Sequence, residues 1–408
     1  MFCKKKVSSL MKRINFNSWQ QYQAIYVHIP FCKQKCLYCD FASYACFGER
    51  EMRTYTDALC HEIEVRAEEA SNVAFGATIY FGGGTPSVLP TDCLEGIVST
   101  LKSCGFWQKP AEATIEVNPG TSDVNKLKRM REAGFDRISF GVQSLQEAEL
   151  RAIGRIHSAE EAIAAIDMAR AAGFARISCD LIYGLPGQSL ASLADTLQRL
   201  LATGIEHISV YGLIVEEGTP LERLVSAGKL TLPDEDAAAD MYELVQQVLK
   251  AHGFERYEIS NYAKNGQYSR HNTVYWQYHP YIAFGAAACG FDGLKRRTAI
   301  STVPEYIAVA NALTSSNWRA SELYEIEALT QAQQLEEFMF MGLRRAAGAD
   351  LAEAKERFGV NVWQRYQKEL APYLRQGLVH YDAQAQRLCL KEKGMELGNQ
   401  IFAIFINE

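Results

Sequence analysis

The strongest constraint on the fold is an alternation of short apolar runs with longer stretches of helical spacing, between about residues 24 and 263. The apolar runs are nearly continuous, as in strands buried on both faces of a parallel sheet. Four strands follow a common lead-in in which a helix ends and a glycine follows, namely AGFDRIS, AGFARIS, TGIEHIS and HGFERYEIS. Glycine suits this point because it adopts the left-handed conformation that closes a helix. The repeated unit predicts a β/α barrel or a doubly wound sheet.

The segments after the predicted strands favour one of these two folds. A cysteine cluster follows the first strand, and GGGTP, EVNPG, GVQS and DLIYGLPG follow the next four. In a barrel the C-terminal ends of all strands surround one site, whereas a doubly wound sheet concentrates its site at one switch point. We therefore predict an α/β fold, a partial TIM-like (β/α)6 barrel over residues 23–260.

The regions on either side of the barrel have different patterns. The segment SRHNTVYWQYHPYIAFGAAACGFDG is aromatic and glycine-rich, which predicts loops. Later helical patterns precede two short strands and a helix, so we expect a smaller, winged-helix-like α+β domain within residues 261–408. Residues 1–22 are basic and contain no acidic residue, and we expect a disordered extension. A short transit segment and a translation start at Met11 are the alternatives.

Charge and cysteine content limit the class of protein. The formal net charge of −6 argues against a nucleic-acid partner. The eleven cysteines are odd in number and mostly scattered, which is not a disulfide framework and indicates a reducing compartment. No apolar run is long enough to span a bilayer. We expect a cytoplasmic protein.

Three cysteines, Cys32, Cys36 and Cys39, lie within the segment FCKQKCLYCDF. They are too close to the polar residues KQK to be ordinary core residues. A zinc site would need a fourth ligand such as His28 or Asp40, and the chain lacks the second CxxC that such sites usually have. An iron–sulfur cluster held by three thiolates would leave one iron open for a substrate or cofactor. Both metal hypotheses remain open on the spacing alone.

The segment YVHIPFCKQKCLYCDF resembles the signature of the radical S-adenosylmethionine (SAM) superfamily, in which CxxxCxxC follows the first strand. The resemblance implies a partial (β/α)6 barrel and a [4Fe–4S] cluster on Cys32, Cys36 and Cys39. It also implies that the amino and carboxylate groups of SAM bind the open iron. The SAM-contacting residues that it implies are Tyr26, Tyr38, Gly84, Thr85, Glu116, Gln143, Arg155 and Asp180.

Elementary chemistry gives three of these residues a plausible task. Gly84 lets backbone approach a ligand closely, Glu116 can accept hydrogen bonds from ribose hydroxyls, and Tyr38 can stack on adenine. The alternatives are a tight turn for the glycines and a solvent-facing carboxylate for Glu116. Gln143, Arg155 and Asp180 have an alternative as structural polar residues.

Within the superfamily the chain resembles the oxygen-independent coproporphyrinogen III oxidase group, which includes decarboxylases and HemW-type haem chaperones. Phe41 stands where the decarboxylases carry a further cysteine. Only 31 residues precede Cys32, whereas the decarboxylases carry a longer N-terminal segment. The segment HNTVYW, residues 271–276, resembles the HNxxYW motif that is linked to haem binding in the chaperone branch. These three features favour the chaperone branch over the decarboxylases.

That resemblance implies haem as cargo, with His271 as the candidate iron ligand. Imidazole is a good axial ligand of haem iron, although histidine and aromatic residues also make ordinary packing contacts. The implied partners are haem or porphyrin and acceptor haemoproteins, membrane-bound respiratory enzymes among them, with a homodimer as a further expectation. The alternatives are a coproporphyrinogen III oxidase and a zinc-stabilised interaction protein, so enzymatic activity is left open.

Overall fold

The computed structural model describes residues 18–406. Most of the predicted N-terminal extension lies outside the described residues, and Ser18–Gln20 forms a 3-10 helix. The strands are β1 (Tyr22–Ile29), β2 (Val73–Gly83), β3 (Ala113–Val117), β4 (Arg137–Gln143), β5 (Arg176–Tyr183), β6 (His207–Gly212), β7 (Glu255–Arg256), β8 (Asn261–Ala263), β9 (Tyr281–Phe284), β10 (Cys289–Phe291), β11 (Lys295–Ala299), β12 (Tyr324–Ala328), β13 (Ala349–Asp350), β14 (Val379–Asp382) and β15 (Arg387–Leu390).

Helices connect many of these strands. They are α1 (Glu49–Val65), α2 (Thr91–Ser103), α3 (Val124–Ala133), α4 (Glu147–Ala152), α5 (Ala159–Ala171), α6 (Leu190–Ala202), α7 (Pro220–Ser226), α8 (Glu235–Ala251), α9 (Arg270–Trp276), α10 (Val303–Ala310), α11 (Gln331–Leu343), α12 (Leu351–Phe358), α13 (Val362–Arg375), α14 (Glu392–Glu396) and α15 (Gly398–Phe402).

Strands β1 to β6 lie side by side in chain order and pair in parallel, each joined to the next through at least one helix. Among the described residues, β6 pairs with β8 rather than with β1, so the barrel is incomplete. The apolar side chains on one face of these strands form one continuous core that includes Ile25, Ile79, Ile115 and Ile138. The predicted α/β fold with a parallel partial barrel is confirmed.

The glycine lead-ins have the predicted conformation. Gly134, Gly173, Gly204 and Gly253 all have positive φ and lie between a helix end and the next strand. Helices α3, α5 and α6 start at polar caps, as at Asp123, whose carboxylate accepts a hydrogen bond from the Lys126 amide. Local chemistry therefore fixes where each strand–helix unit begins and ends.

The sheet continues beyond residue 260, so the prediction of loops for the aromatic, glycine-rich segment is partly wrong. Strand β9 pairs in parallel with β1, and β10 to β12 extend the same sheet with antiparallel pairing. Helix α9 carries the HNTVYW segment and is capped by the Ser269 hydroxyl, which accepts from the Asn272 amide. The boundary proposed at residue 260 stays a prediction.

The C-terminal part of the chain is an α+β unit, as predicted. Helices α12 and α13 precede the β14–β15 hairpin, which pairs with β13 and is followed by α14. A second apolar core lies within it and includes Phe338, Leu370 and Leu388. In residues 18–406, no helix combines the length and the apolar character required to cross a membrane.

Candidate functional site

A cavity of about 510 Å3 opens at the C-terminal ends of the barrel strands. A volume of this size is typical of small-molecule sites. Its walls bring together all the residues that the sequence predicted for the cluster and SAM, with the exception of Tyr26. They are Cys32, Cys36, Tyr38, Cys39, Gly84, Thr85, Glu116, Gln143, Arg155 and Asp180.

The three cysteines lie on the loop after β1 and are half-buried free thiols. The Cys32 amide donates to the Tyr44 carbonyl at 2.9 Å, and the Leu37 amide donates to the Ile153 carbonyl at 3.0 Å, which ties the loop to the barrel. Burial raises the pKa values of the Cys32 and Cys39 thiols. Metal ligation requires thiolates, so it would have to overcome the cost of ionising these thiols where they are buried.

Two of the thiols belong to a hydrogen-bonded circuit. The Thr85 hydroxyl donates to Cys32 Sγ at 3.5 Å, and Asn118 Nδ2 donates to Thr85 Oγ1 at 2.8 Å. Arg155 closes the circuit, because Nη2 donates to Asn118 Oδ1 at 2.8 Å and Nη1 donates to Cys36 Sγ at 3.4 Å. The ends of β2 and β3 and the loop after α4 thus fix the cluster loop jointly.

The GGGTP turn is shaped by its contact with the cluster loop. A Cβ atom on Gly84 would lie 2.6 Å from the Phe31 carbonyl oxygen, and one on Gly83 would lie 2.5 Å from the His28 ring. The Gly84 amide donates to the Ile29 carbonyl at 2.9 Å. The packing of the chain itself therefore requires these glycines, whether or not a ligand also approaches them.

A pair of half-buried carboxylates forms the inner wall of the cavity. Glu116 accepts a hydrogen bond from the Tyr80 hydroxyl at 2.6 Å, and Asp180 accepts one from the Ser139 hydroxyl at 3.2 Å. Burial, together with a smaller contribution from nearby Asp180, raises the pKa of Glu116 to about 7. Burial also raises the pKa of Asp180. Such carboxylates are suited to accept hydrogen bonds from a ligand's hydroxyl groups.

Arg155 and Gln143 place polar groups at the end of β4. Arg155 donates to the Gly141 carbonyl, while its Nε is buried with no hydrogen-bond partner in the described part of the chain. Gln143 has φ of +67°, and the pairing of β4 with β5 shifts register beside it. Backbone strain of this kind in a non-glycine residue is concentrated at functional sites.

The two predicted tyrosines lie at different depths. Tyr38 lines the cavity and packs against the buried cluster of Ile153, Ile182 and Leu185. Tyr26 lies one layer deeper: its hydroxyl is hydrogen-bonded to His28 Nδ1 at 3.0 Å, and its ring stacks on that of Tyr80 with centroids 6.3 Å apart. Tyr26 therefore supports the cavity wall without lining it.

His271 lies outside the cavity and is fully buried under the barrel. Its Nδ1 is hydrogen-bonded to Thr78 Oγ1 at 2.9 Å, and its Nε2 is hydrogen-bonded to the Tyr275 hydroxyl at 2.8 Å. Burial lowers the pKa of His271 to about 3, so the ring is neutral. Because both nitrogens are engaged, ligation of iron would require one of these bonds to break. The haem-ligand role stays a prediction.

Comparisons with known proteins agree with this arrangement. The "Radical SAM superfamily" model matches residues 26–200, and the "HemN C-terminal domain" model matches residues 329–397. The "Heme chaperone HemW" of Bacillus subtilis is 35% identical over 390 residues, covering 95% of this chain and 100% of the relative. The chain belongs to the radical SAM superfamily, in its HemW branch.

Further matches extend along nearly the whole chain. The "Heme chaperone HemW" of Lactococcus lactis is 33% identical over 387 residues, covering 95% of this chain and 98% of the relative. The solved coproporphyrinogen III oxidase (HemN) of Escherichia coli superposes with a TM-score of 0.80 at 22% identity, over 95% of this chain and 90% of that one. At that identity the superposition shows the fold, which is the predicted one.

Some site residues were missed in the sequence. Asn118 stands inside the EVNPG segment, whose position after a predicted strand was a usable signal. Tyr80 gave no signal, because its importance comes from Glu116 on the neighbouring strand. Tyr211 and Ile214, at and after the end of β6, line the cavity mouth together with Phe41. Phe41 and Ile214 are 65% and 68% exposed, so the cavity mouth presents apolar surface.

The three thiols of the cavity differ from the ligand set of a site for a single metal ion. In the chain between residues 18 and 406, no three His, Cys, Asp or Glu side chains are grouped so that they could hold one metal ion. The zinc alternative therefore has no preformed ligand set there. In a [4Fe–4S] cluster each ligand binds a different iron atom. Three thiols around one cavity therefore suit a cluster even though they do not converge on a single ion.

Proposed function

We propose that the protein is a haem chaperone that holds a [4Fe–4S] cluster and SAM in its barrel and delivers haem to acceptor haemoproteins. The observation that carries this proposal is the cavity that three thiols, an arginine and a half-buried carboxylate pair line together. The likeness to relatives named haem chaperones, along 95% of the chain, directs the proposal to haem. The proposal also includes membrane-bound respiratory enzymes among the acceptors, a homodimer and a cytoplasmic location.

Cys32, Cys36 and Cys39 would hold the cluster through their thiolates. When bound and reduced, such a cluster would be a one-electron donor to SAM. The Thr85–Asn118–Arg155 circuit holds Cys32 and Cys36 in place, because each of its side chains has a partner on a different element.

Arg155, Glu116 and Asp180 would recognise SAM by charge and hydrogen bonding. Arg155 lines the cavity, and its positive charge suits a carboxylate, which is the acceptor that guanidinium groups bind most strongly. Glu116 keeps one oxygen on Tyr80 and can accept a ribose hydroxyl with the other. Tyr38 covers one side of the cavity with a flat ring on which adenine can stack.

Apolar side chains at the cavity mouth support haem as cargo. Phe41, Tyr211 and Ile214 present exposed apolar surface beside the polar interior. A porphyrin buries large flat apolar faces when it binds, so such a surface favours it. The decarboxylase alternative rests on the same polar pocket, which would suit SAM in either protein. Phe41 favours the chaperone, since the decarboxylases carry a cysteine at that position.

The proposal is tested by reconstituting the purified chain with iron and sulfide under anaerobic conditions. We expect about four iron atoms per chain, SAM binding by calorimetry, and haem binding in an optical titration. A colourless protein that retains zinc and lacks sulfide would refute the cluster. Reconstituted protein that binds SAM but shows no saturable haem binding would refute the chaperone function and leave the SAM site standing.

A further inference from the structure

The HNTVYW helix, α9, packs under the barrel directly beneath the predicted SAM site. The His271 amide donates to Glu112 Oε1 at 3.1 Å, and the His271 ring is hydrogen-bonded to Thr78 on β2. Glu112 is itself buried and paired with Arg137 of β4. The motif is therefore anchored to three neighbouring segments of the barrel rather than presented at a surface.

The His271 ring supports a cavity-wall residue from below. Its ring stacks on the Tyr80 ring, with centroids 4.9 Å apart and planes 30° from parallel. Tyr26 stacks on Tyr80 as well, at 6.3 Å and 26°. The Tyr80 hydroxyl donates to Glu116 at 2.6 Å, and Glu116 lines the SAM cavity. One uninterrupted chain of contacts thus leads from the motif to the proposed ribose acceptor.

A second cavity connects the motif to the same wall. It is polar, has a volume of about 60 Å3, and is lined by Tyr80, Glu116 and Asp180 from above and by Asn272 of α9 from below. Thr114 Oγ1 on its wall is buried and has no hydrogen-bond partner among residues 18–406. A polar space of this size with an unpartnered hydroxyl is suited to ordered water. Helix α9 therefore borders this second cavity, behind the Tyr80 and Glu116 wall of the SAM site.

We propose that His271 is a positioning residue of the SAM site, which holds the Tyr80 ring so that its hydroxyl stays on Glu116. This inference rests on the proposed function, since it concerns the same SAM site. The two hydrogen bonds of His271 fix the plane of its ring, and that plane fixes Tyr80. The HNTVYW segment then serves SAM binding from beneath the barrel, without contact between His271 and the cargo.

A double-mutant cycle on reconstituted full-length protein tests this inference. The variants are Tyr80→Phe, His271→Ala and the double variant, and the readouts are SAM affinity by calorimetry and the EPR signal of the reduced cluster with SAM. Tyr80→Phe keeps the ring and loses one hydrogen bond to a carboxylate, so we expect SAM affinity to fall about tenfold. His271→Ala should lower it about fivefold through the same bond.

The coupling between the two substitutions distinguishes a positioning role of His271 from a general loss of structure. If His271 acts through Tyr80, the double variant should bind SAM within about twofold of Tyr80→Phe alone, because effects transmitted through one bond are not additive. Additive losses would overturn the inference. His252→Ala, at the exposed C-terminal end of α8, is the matched histidine control and should leave SAM affinity unchanged. If His271→Ala does not fold, His271→Gln takes its place in the cycle.

Haem affinity measured on the same variants distinguishes this inference from the haem-ligand role. We expect His271→Ala to bind haem within about twofold of wild type. Loss of haem with unchanged SAM affinity would overturn the inference and support iron ligation by His271. If wild-type reconstituted protein fails to bind SAM, the proposed function fails; if it binds SAM and Tyr80→Phe binds equally well, the inference alone fails.

Discussion

Glu116 is expected to make the folded chain less stable as pH rises, and its replacement by glutamine should remove this effect. Burial raises the pKa of Glu116 to about 7 from the usual 4.5. Each tenfold difference in proton affinity is about 1.4 kcal/mol, so ionisation costs the folded state ~3 kcal/mol more than the unfolded state. Glutamine keeps the oxygen that accepts from Tyr80 and carries no charge.

The sign of this effect follows from the order of deprotonation. Below the unfolded pKa of 4.5 both states carry the proton and Glu116 contributes no penalty. As pH rises from 4.5 towards 7 the unfolded chain releases its proton first, so stability falls, and it levels off once the folded state ionises too. Between about pH 5 and pH 8, the gain in unfolding free energy from Glu116→Gln should therefore grow by ~2 kcal/mol.

Urea unfolding of the apoprotein at a series of pH values measures this difference. Comparing Glu116→Gln with wild type at each pH cancels the titration of groups that the two proteins share. Glu243→Gln on the exposed side of α8 is the matched control, and its difference from wild type should stay flat. A Glu116→Gln difference that is independent of pH, or that grows towards low pH, would refute the reasoning.

Three further predictions concern the cluster loop and its neighbours. Cys36→Ser should abolish cluster absorbance after reconstitution, whereas Cys46→Ser, at an exposed free thiol nearby, should retain it. Arg155→Gln should lower SAM affinity by about tenfold or more in calorimetry, because a charged hydrogen bond to the ligand is lost. Gly84→Ala should cost about 1–3 kcal/mol in urea unfolding, since its Cβ would lie 2.6 Å from a backbone oxygen, whereas Gly96→Ala, in open space on α2, should not destabilise.

Each of these predictions has a contradicting result. A Cys36→Ser protein with the full iron content and absorbance would show that the thiol is not a ligand. An Arg155→Gln protein with wild-type SAM affinity would remove the arginine from the SAM site. Equal stability of Gly84→Ala and wild type would show that the GGGTP turn has room for a side chain.

Features with local causes could be predicted from the sequence. The strand–helix units were predictable because continuous apolar runs and glycine caps leave a pattern within a few residues, as at Gly134 and Gly173. The rim residues were predictable because every C-terminal strand end of a barrel faces the same side. Glu116 and Asp180 could therefore be expected in one cavity before their contacts were known.

Features that depend on distant partners could not be predicted in this way. Strand β9 pairs with β1 across more than two hundred residues, and its aromatic, glycine-rich surroundings indicated loops. Tyr80 draws its role from Glu116 on another strand, and His271 lies beneath the barrel because Thr78 and Tyr275 satisfy its ring nitrogens. Such contacts leave no periodicity in the sequence.

The proposed function requires that this chain carries haem rather than converting a porphyrinogen. The most direct measurement incubates anaerobically reconstituted protein with SAM, a reductant and coproporphyrinogen III, and follows porphyrin products by chromatography with haem binding measured on the same preparation. The account predicts saturable haem binding and no protoporphyrinogen. Formation of protoporphyrinogen with matching release of methionine would contradict it and make the protein a coproporphyrinogen III oxidase.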